Sequence, residues 1–171
     1  MRRFVNNYLY HHKLRRQLQT YWHVSSLVVK KTSLSLGRYV YVGSESFINA
    51  EGGVEIGDGS ILSSRVTILS SSHEFKSINV LPYSRKYNYQ KVTIGKGVWI
   101  GYGVTILPGI SVADGAIIGA GSVVSKNIGV GEVWAGNPAK LISTRNIEDI
   151  TNLIQSESYL NKCYPRKWKL L

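Results

Sequence analysis

IGKGVWIGYGVTILPGISVADGAIIGAGSVVSKNIGV, residues 94 to 130, decides the fold. Ile94, Ile100, Ile106, Val112, Ile118, Val124 and Val130 return at every sixth position, with Gly95, Gly101 and Gly119 beside three of them. A straight strand would show a period of two and a helix one of about 3.6. Six fits a short strand, a corner and another short strand, with one inward aliphatic on each flat side of a prism. Three sides close a coil, and successive coils stack at about 4.8 Å through backbone hydrogen bonds. Each buried aliphatic in such a column contributes about 1.5 to 3 kcal/mol. The reading is an all-β solenoid.

Upstream, Leu36, Val42 and Ile48 keep the six-residue step, and Ile56, Leu62 and Ile68 resume it after two extra residues. The insertion falls in Glu51 to Glu55, where Gly52 and Gly53 suit a bulged corner. Together the two runs predict about four triangular coils. Residues 34 to 142 form this domain, 1 to 33 precede it and 143 to 171 follow it. Between Ser70 and Lys91 the repeat breaks, which predicts a projecting loop, since an excursion of that length from a strict coil is functional or disordered. Tyr83, Tyr87 and Tyr89 argue for order. With Arg85 and Lys86 they suit either a sugar acceptor or a neighbouring subunit.

The 171 residues, 43% of them hydrophobic, suit a single domain with a substantial core. A formal charge of +11 favours an anionic partner. Nucleic acid has only that charge in its favour, because no recognition motif accompanies it. The single cysteine, Cys163, excludes an internal disulfide and fits a reducing cytoplasm. Polar residues after Met1 leave no room for a signal peptide, and no stretch reads as a membrane span. Phe4, Tyr8, Leu14, Leu18, Tyr21 and Trp22 among Lys13, Arg15 and Arg16 predict a basic amphipathic helix over residues 4 to 22. Its first use is to cap the opening coil; a second is to lie on the anionic inner face of a membrane. At the other end, Asn146 followed by Glu148 and Asp149 predicts a helix with Ile147, Ile150 and Ile154 on one face, capping the last coil. Beyond Pro165 comes a basic tail from Arg166 to Lys169.

The stretches IGKGVWIG, ILPGI, IGAGSVVSKN and AGNPAK, within residues 94 to 140, resemble the hexapeptide-repeat acyltransferases. The nearest branch is that of the maltose and galactoside O-acetyltransferases and the O-acetyltransferases of bacterial surface polysaccharides. The resemblance covers about residues 36 to 142. It implies a left-handed parallel β-helix, acetyl-CoA as donor without a metal, and a homotrimer with its sites between subunits.

His73, at the root of the loop, matches the family's catalytic histidine, the other three histidines all lying before residue 24. An imidazole, with a reference pKa of about 6.5, suits removal of a hydroxyl proton. Asn49 matches the asparagine beside the acceptor. Trp99, Gly101 and Tyr102 match the corner beside the donor, where some relatives carry serine at the position of Tyr102. From the residues alone, core packing explains Trp99 equally well. Ala120 and Gly121 match the close passage of the CoA arm; Ser125 and Lys126 match the pair near its nucleotide end. Lys140 and Arg145 are further phosphate candidates. Tyr83, Arg85 and Tyr87 are candidates for the saccharide acceptor.

Acetyl transfer to a saccharide hydroxyl is thus the leading reading. An amino sugar nucleotide or a streptogramin-type drug is the alternative acceptor. A metal enzyme resembling the γ-class carbonic anhydrases would need three histidines around its metal, and a non-catalytic scaffold would leave the CoA-side motifs unexplained.

Overall fold

Each hexad supplies one short strand and one corner, so its inward residue lands over the equivalent residue of the turn before. The computed structural model describes residues 18 to 76 and 78 to 164, and in it these strands pair in parallel on three faces. On the first face Trp22, Val42, Leu62, Ile100, Ile118 and Trp134 stand in register. Val28, Ile48, Ile68, Ile106 and Val124 form the second column. Leu36, Ile56, Ile94 and Val112 form the third, completed by a bridge to Ile128. The core is these three columns, with Ile48, Leu62, Ile68, Ile94, Ile100, Ile106 and Ile118 almost wholly excluded from solvent.

The solenoid has about six turns, where the hexad count predicted about four. Its first strand is Tyr21–Trp22, so the end of the stretch predicted to be helical is sheet. Residues 4 to 17 of that predicted helix lie outside the described residues. The opening turn escapes a hexad search because an indole, Trp22, fills the inward position and because Val28 and Leu36 are separated by two residues beyond the hexad. Val130 is also displaced from its predicted place. Ile128 pairs with Val112 and is buried, while Val130 is 41% exposed. The last turn is cut short by two residues at that corner.

That corner, the edge between the second and third faces, is where the chain varies. It holds the 3-10 turn Lys31–Ser33, then Gly52 and Gly53, then the whole loop, and then the tight Pro108 and Gly109. The loop is therefore an enlargement of a corner already widened in the two turns before it. It leaves the coil as an antiparallel hairpin of Ser71–His73 and Tyr87–Tyr89.

The edge between the third and first faces is covered by the C-terminal segment. Asn146 caps helix α1, Ile147–Gln155, by accepting from the amides of Glu148 and Asp149. The helix was predicted to cap the last coil; it lies along the edge instead, as a strap. Ile150 packs on Gly115 and Gly131, where a Cβ would come within 2.6 Å of it. Farther along, Tyr159 lies on Gly59, and Asn161 donates to the carbonyl of Tyr39 at 3.1 Å. Glu157 joins Arg38 to Lys162, and these two cations hold its carboxyl below its ordinary pKa, Lys162 first. The direction follows from burial: an amphipathic segment gains most by laying its apolar side on the glycine-lined edge.

Gly59 tests the strap. Its φ is +70°, and a Cβ there would stand 2.1 Å from Cδ1 of Tyr159. Gly59→Ala is expected to lower stability by about 1 to 3 kcal/mol, through backbone strain and overpacking. Urea unfolding measures this, and Gly103→Ala, at a positive φ with open space around it, separates the strain from the clash.

Candidate active site

Two edges of the prism remain uncovered by the strap, and the candidate residues divide between them. On the edge between the second and third faces the hairpin sets His73 opposite Tyr87 and Ser71 opposite Tyr89. Alternate residues of a strand share a face, so Ser71 and His73 lie on the same side of the hairpin. Tyr83 stacks on His73 with ring centroids 3.9 Å apart, and Tyr87 packs against it at 4.4 Å. These tyrosines, read as acceptor or subunit contacts, touch the histidine itself. His73 Nδ1 is buried and makes no hydrogen bond. Arg85 lies exposed beyond them on the loop.

Asn49 stands on the outer side of the second face, one turn before the hairpin root. Its Nδ2 donates to Ser71 Oγ at 3.0 Å and to Glu51 Oε2 at 3.3 Å, while its Oδ1 accepts from the Glu51 amide at 2.9 Å. Ser71 Oγ donates to Glu51 Oε2 at 3.0 Å. Both amide hydrogens of Asn49 are thereby spent, and only Oδ1 retains a free lone pair. Asn49 can accept from a ligand hydroxyl but not donate to one. Sequence reasoning missed Glu51 and Ser71; the signal was present, since both fall at the widened corner beside residues already singled out.

The edge between the first and second faces carries five of the donor-side candidates, Trp99, Gly101, Tyr102, Ala120 and Gly121. Trp99 is 52% exposed on the outer side of the first face, which rules out core packing. Trp99, Tyr102, Tyr41 and Ser64 line a groove of about 630 Å³ against Leu160 and Asn161 of the strap. The Arg65 guanidinium lies 5.7 Å from the Tyr102 ring centroid and pairs with Glu45 at 2.8 Å. Gly101 is explained by the coil, for a Cβ there would meet the Ala120 amide nitrogen at 2.6 Å. Around Gly121 there is open space, and Ala120 beside it is exposed. The amides of Gly101 and Gly103 donate to the carbonyls of Ile118 and Ser64. They are spent on the coil.

Ser125 and Lys126 are exposed in the last turn on the hairpin's edge, not on that of Trp99. Lys140 is exposed in the strand Ala139–Thr144 opposite Ala135. Arg145 donates to the Gly115 carbonyl at 2.8 Å, so it anchors the strap. His23, placed before the coil by the sequence, lies in the first turn and bonds Ser25. Among the described residues no three His, Cys, Asp or Glu side chains gather as a metal site, and no helix is long and apolar enough to cross a membrane. One chain thus keeps the imidazole and the Trp99 groove on different edges.

Two family models match the sequence: bacterial transferase hexapeptide (six repeats) over residues 91 to 126, and hexapeptide repeat of succinyl-transferase over residues 34 to 70. No curated protein matches the chain in sequence. Among solved structures it is similar to a maltose O-acetyltransferase from Clostridium difficile 630, with 28% identity and a TM-score of 0.52, covering 84% of this chain and 88% of that one. It is also similar to the polySia specific acetyltransferase NeuO, with 26% identity and a TM-score of 0.57, covering 73% of this chain and 62% of that one. AntD, an N-acyltransferase from Bacillus cereus solved with dTDP and 3-hydroxybutyryl-CoA, shares the fold at 19% identity and a TM-score of 0.66, with coverage of 86% and 96%.

Proposed function

We propose that the chain is a hexapeptide-repeat acyltransferase that moves acetyl from acetyl-CoA to a saccharide hydroxyl, with His73 as general base; the two hexapeptide-repeat matches and the likeness to a maltose O-acetyltransferase support this reading. The observation that carries this reading is the His73 imidazole, held at the root of the hairpin on the same side as Ser71, which bonds Asn49 and Glu51. A sugar hydroxyl is a weak nucleophile at neutral pH and reacts once a positioned base takes its proton. With Nδ1 buried, Nε2 is the nitrogen that meets the acceptor. The acceptor oxygen attacks the thioester carbonyl as its proton passes to Nε2; the tetrahedral intermediate collapses, and the CoA thiolate leaves and takes that proton. Asn49 Oδ1 and Glu51 orient neighbouring hydroxyls by accepting from them. No acetyl-enzyme forms, and Cys163, exposed at the end of the strap, has no part.

The division of candidates over two edges supports a homotrimer, which we propose to be built of left-handed coils. A ring of three needs two different surfaces on each chain, and the strap leaves two open edges of different character. The hairpin edge of one subunit would meet the Trp99 edge of the next, bringing His73 to a donor lying along Trp99, Tyr102, Ala120 and Gly121. Surface-polysaccharide assembly is the setting we propose, in the cytoplasm, with the basic N-terminal segment as a contact to the membrane face. A carboxylate at Glu51 would also hold an ammonium group, which makes an amino sugar the second acceptor class.

A panel of neutral saccharides, amino sugars and nucleotide sugars, read by acetyl-CoA-dependent thiol release, tests the reaction and separates the two classes. Release above the acceptor-free rate with a neutral saccharide supports O-transfer, and its restriction to amines would replace it. Lys126 offers a second check. If its ammonium meets the 3′-phosphate, Lys126→Ala weakens CoA by about fivefold, the scale of an exposed ion pair, and leaves dephospho-CoA unaffected. Equal loss for both ligands places Lys126 elsewhere.

A further inference from the structure

We propose that Tyr83 and Tyr87 are positioning residues for the His73 base, fixing its imidazole by ring packing; this rests on the reading of His73 as the base. A histidine that works through one nitrogen is ordinarily oriented by a hydrogen bond from the other. Here that other nitrogen, Nδ1, is buried and has no partner. What surrounds the ring instead is aromatic: Tyr83 stacks nearly parallel to it, at 17° between planes and 3.9 Å between centroids, and Tyr87 leans on it at 40° and 4.4 Å.

Each tyrosine is placed by its own device. Tyr87 is set by strand register, directly opposite His73. Tyr83 comes from the far end of the loop tip and is latched through its neighbour. The Ser84 amide donates to the Glu74 carbonyl at 3.1 Å, and Ser84 Oγ donates to Glu74 Oε2 at 2.9 Å. Glu74 adjoins His73 and Ser84 adjoins Tyr83, so the double bond between them closes the tip and lays one ring on the other. Ring packing of this kind favours a fixed orientation. The ring faces turned to His73 are not available to stack on a sugar.

The test is the rate at which diethyl pyrocarbonate modifies His73, read by peptide mass spectrometry with His23 as internal reference, in wild type, Tyr83→Phe and Tyr83→Ala. The phenylalanine variant keeps the stack and is expected to react at the wild-type rate. The alanine variant frees the ring and is expected to react several-fold faster at His73 with His23 unchanged. Ser84→Ala, which cuts one bond of the half-buried latch, raises the rate in the same direction. In turnover, Tyr83→Ala loses about tenfold in kcat, the scale of a misplaced catalytic group, Tyr83→Phe retains it, and CoA affinity stays the same in both. Equal His73 modification rates in wild type, Tyr83→Ala and Ser84→Ala overturn the proposal, whatever the acceptor. A loss confined to the acceptor KM also overturns it and returns Tyr83 to sugar stacking. Failure of the base reading shows itself differently: His73→Ala would keep turning over while the modification pattern stayed as predicted.

Discussion

Aspartate in place of Ile100 is expected to leave the chain unfolded at room temperature. Ile100 has no exposed surface and sits in the first-face column between Leu62 and Ile118. Truncating such a side chain already costs about 2 to 5 kcal/mol. An unpaired carboxylate at the same place costs several more, because no polar partner replaces its water. A domain of this kind is held by about 5 to 15 kcal/mol in total, so the substitution removes most or all of it. The neighbouring Trp99 supplies the control. Its side chain points outward from the same strand, so Trp99→Asp should keep the fold while changing the lining of the groove it shares with Tyr102. Circular dichroism and size-exclusion chromatography distinguish the two variants; a cooperative transition at the wild-type temperature in Ile100→Asp would mean the column is not the core.

Alanine in place of His73 is expected to lower turnover by about 10² to 10⁴, the usual contribution of a positioned general base. The side chain belongs to the hairpin and not to any of the three columns, so its removal leaves the coil intact. CoA affinity and the mass of the assembly should therefore match wild type. Glu51→Gln is a gentler probe of the same corner. The glutamine oxygen can still accept from Asn49 and Ser71, while the outward atom changes from acceptor to donor. Its effect is expected in the acceptor KM, with kcat changed less. Wild-type turnover in His73→Ala would remove the imidazole from the chemistry.

The columns were legible in the sequence because a buried position on a short strand tolerates little besides an aliphatic side chain, and the regular hexads therefore show as a period. The first turn was not, since Trp22 fills one inward site and Lys31–Ser33 lengthens a corner. Val130 kept the spacing but not the environment: the chain shortens one corner, and Ile128 takes the place. The path of the C-terminal segment was hidden for a different reason. An amphipathic helix announces that it has an apolar side, but the surface it covers is defined by glycines, at positions 59, 115 and 131, in turns far apart in the sequence.

At the candidate site, the motif positions pointed to His73 and Asn49 and the loop to Tyr83 and Tyr87, while the partners of Asn49 came only from the structure. Glu51 and Ser71 meet Asn49 because two turns stack, a relation that spacing along the chain does not display. Trp99 illustrates the limit most directly. Its place in a hexad allowed either core or surface, and only the direction of the strand decides between them.

A calorimetric titration of the folded full chain with CoA tests the proposed use of an acyl-CoA donor without any choice of acceptor. Saturable binding of about one CoA per chain is expected, weakened by Lys126→Ala and retained by His73→Ala. Absence of binding at millimolar CoA, by protein whose assembly and fold have been verified, would contradict it.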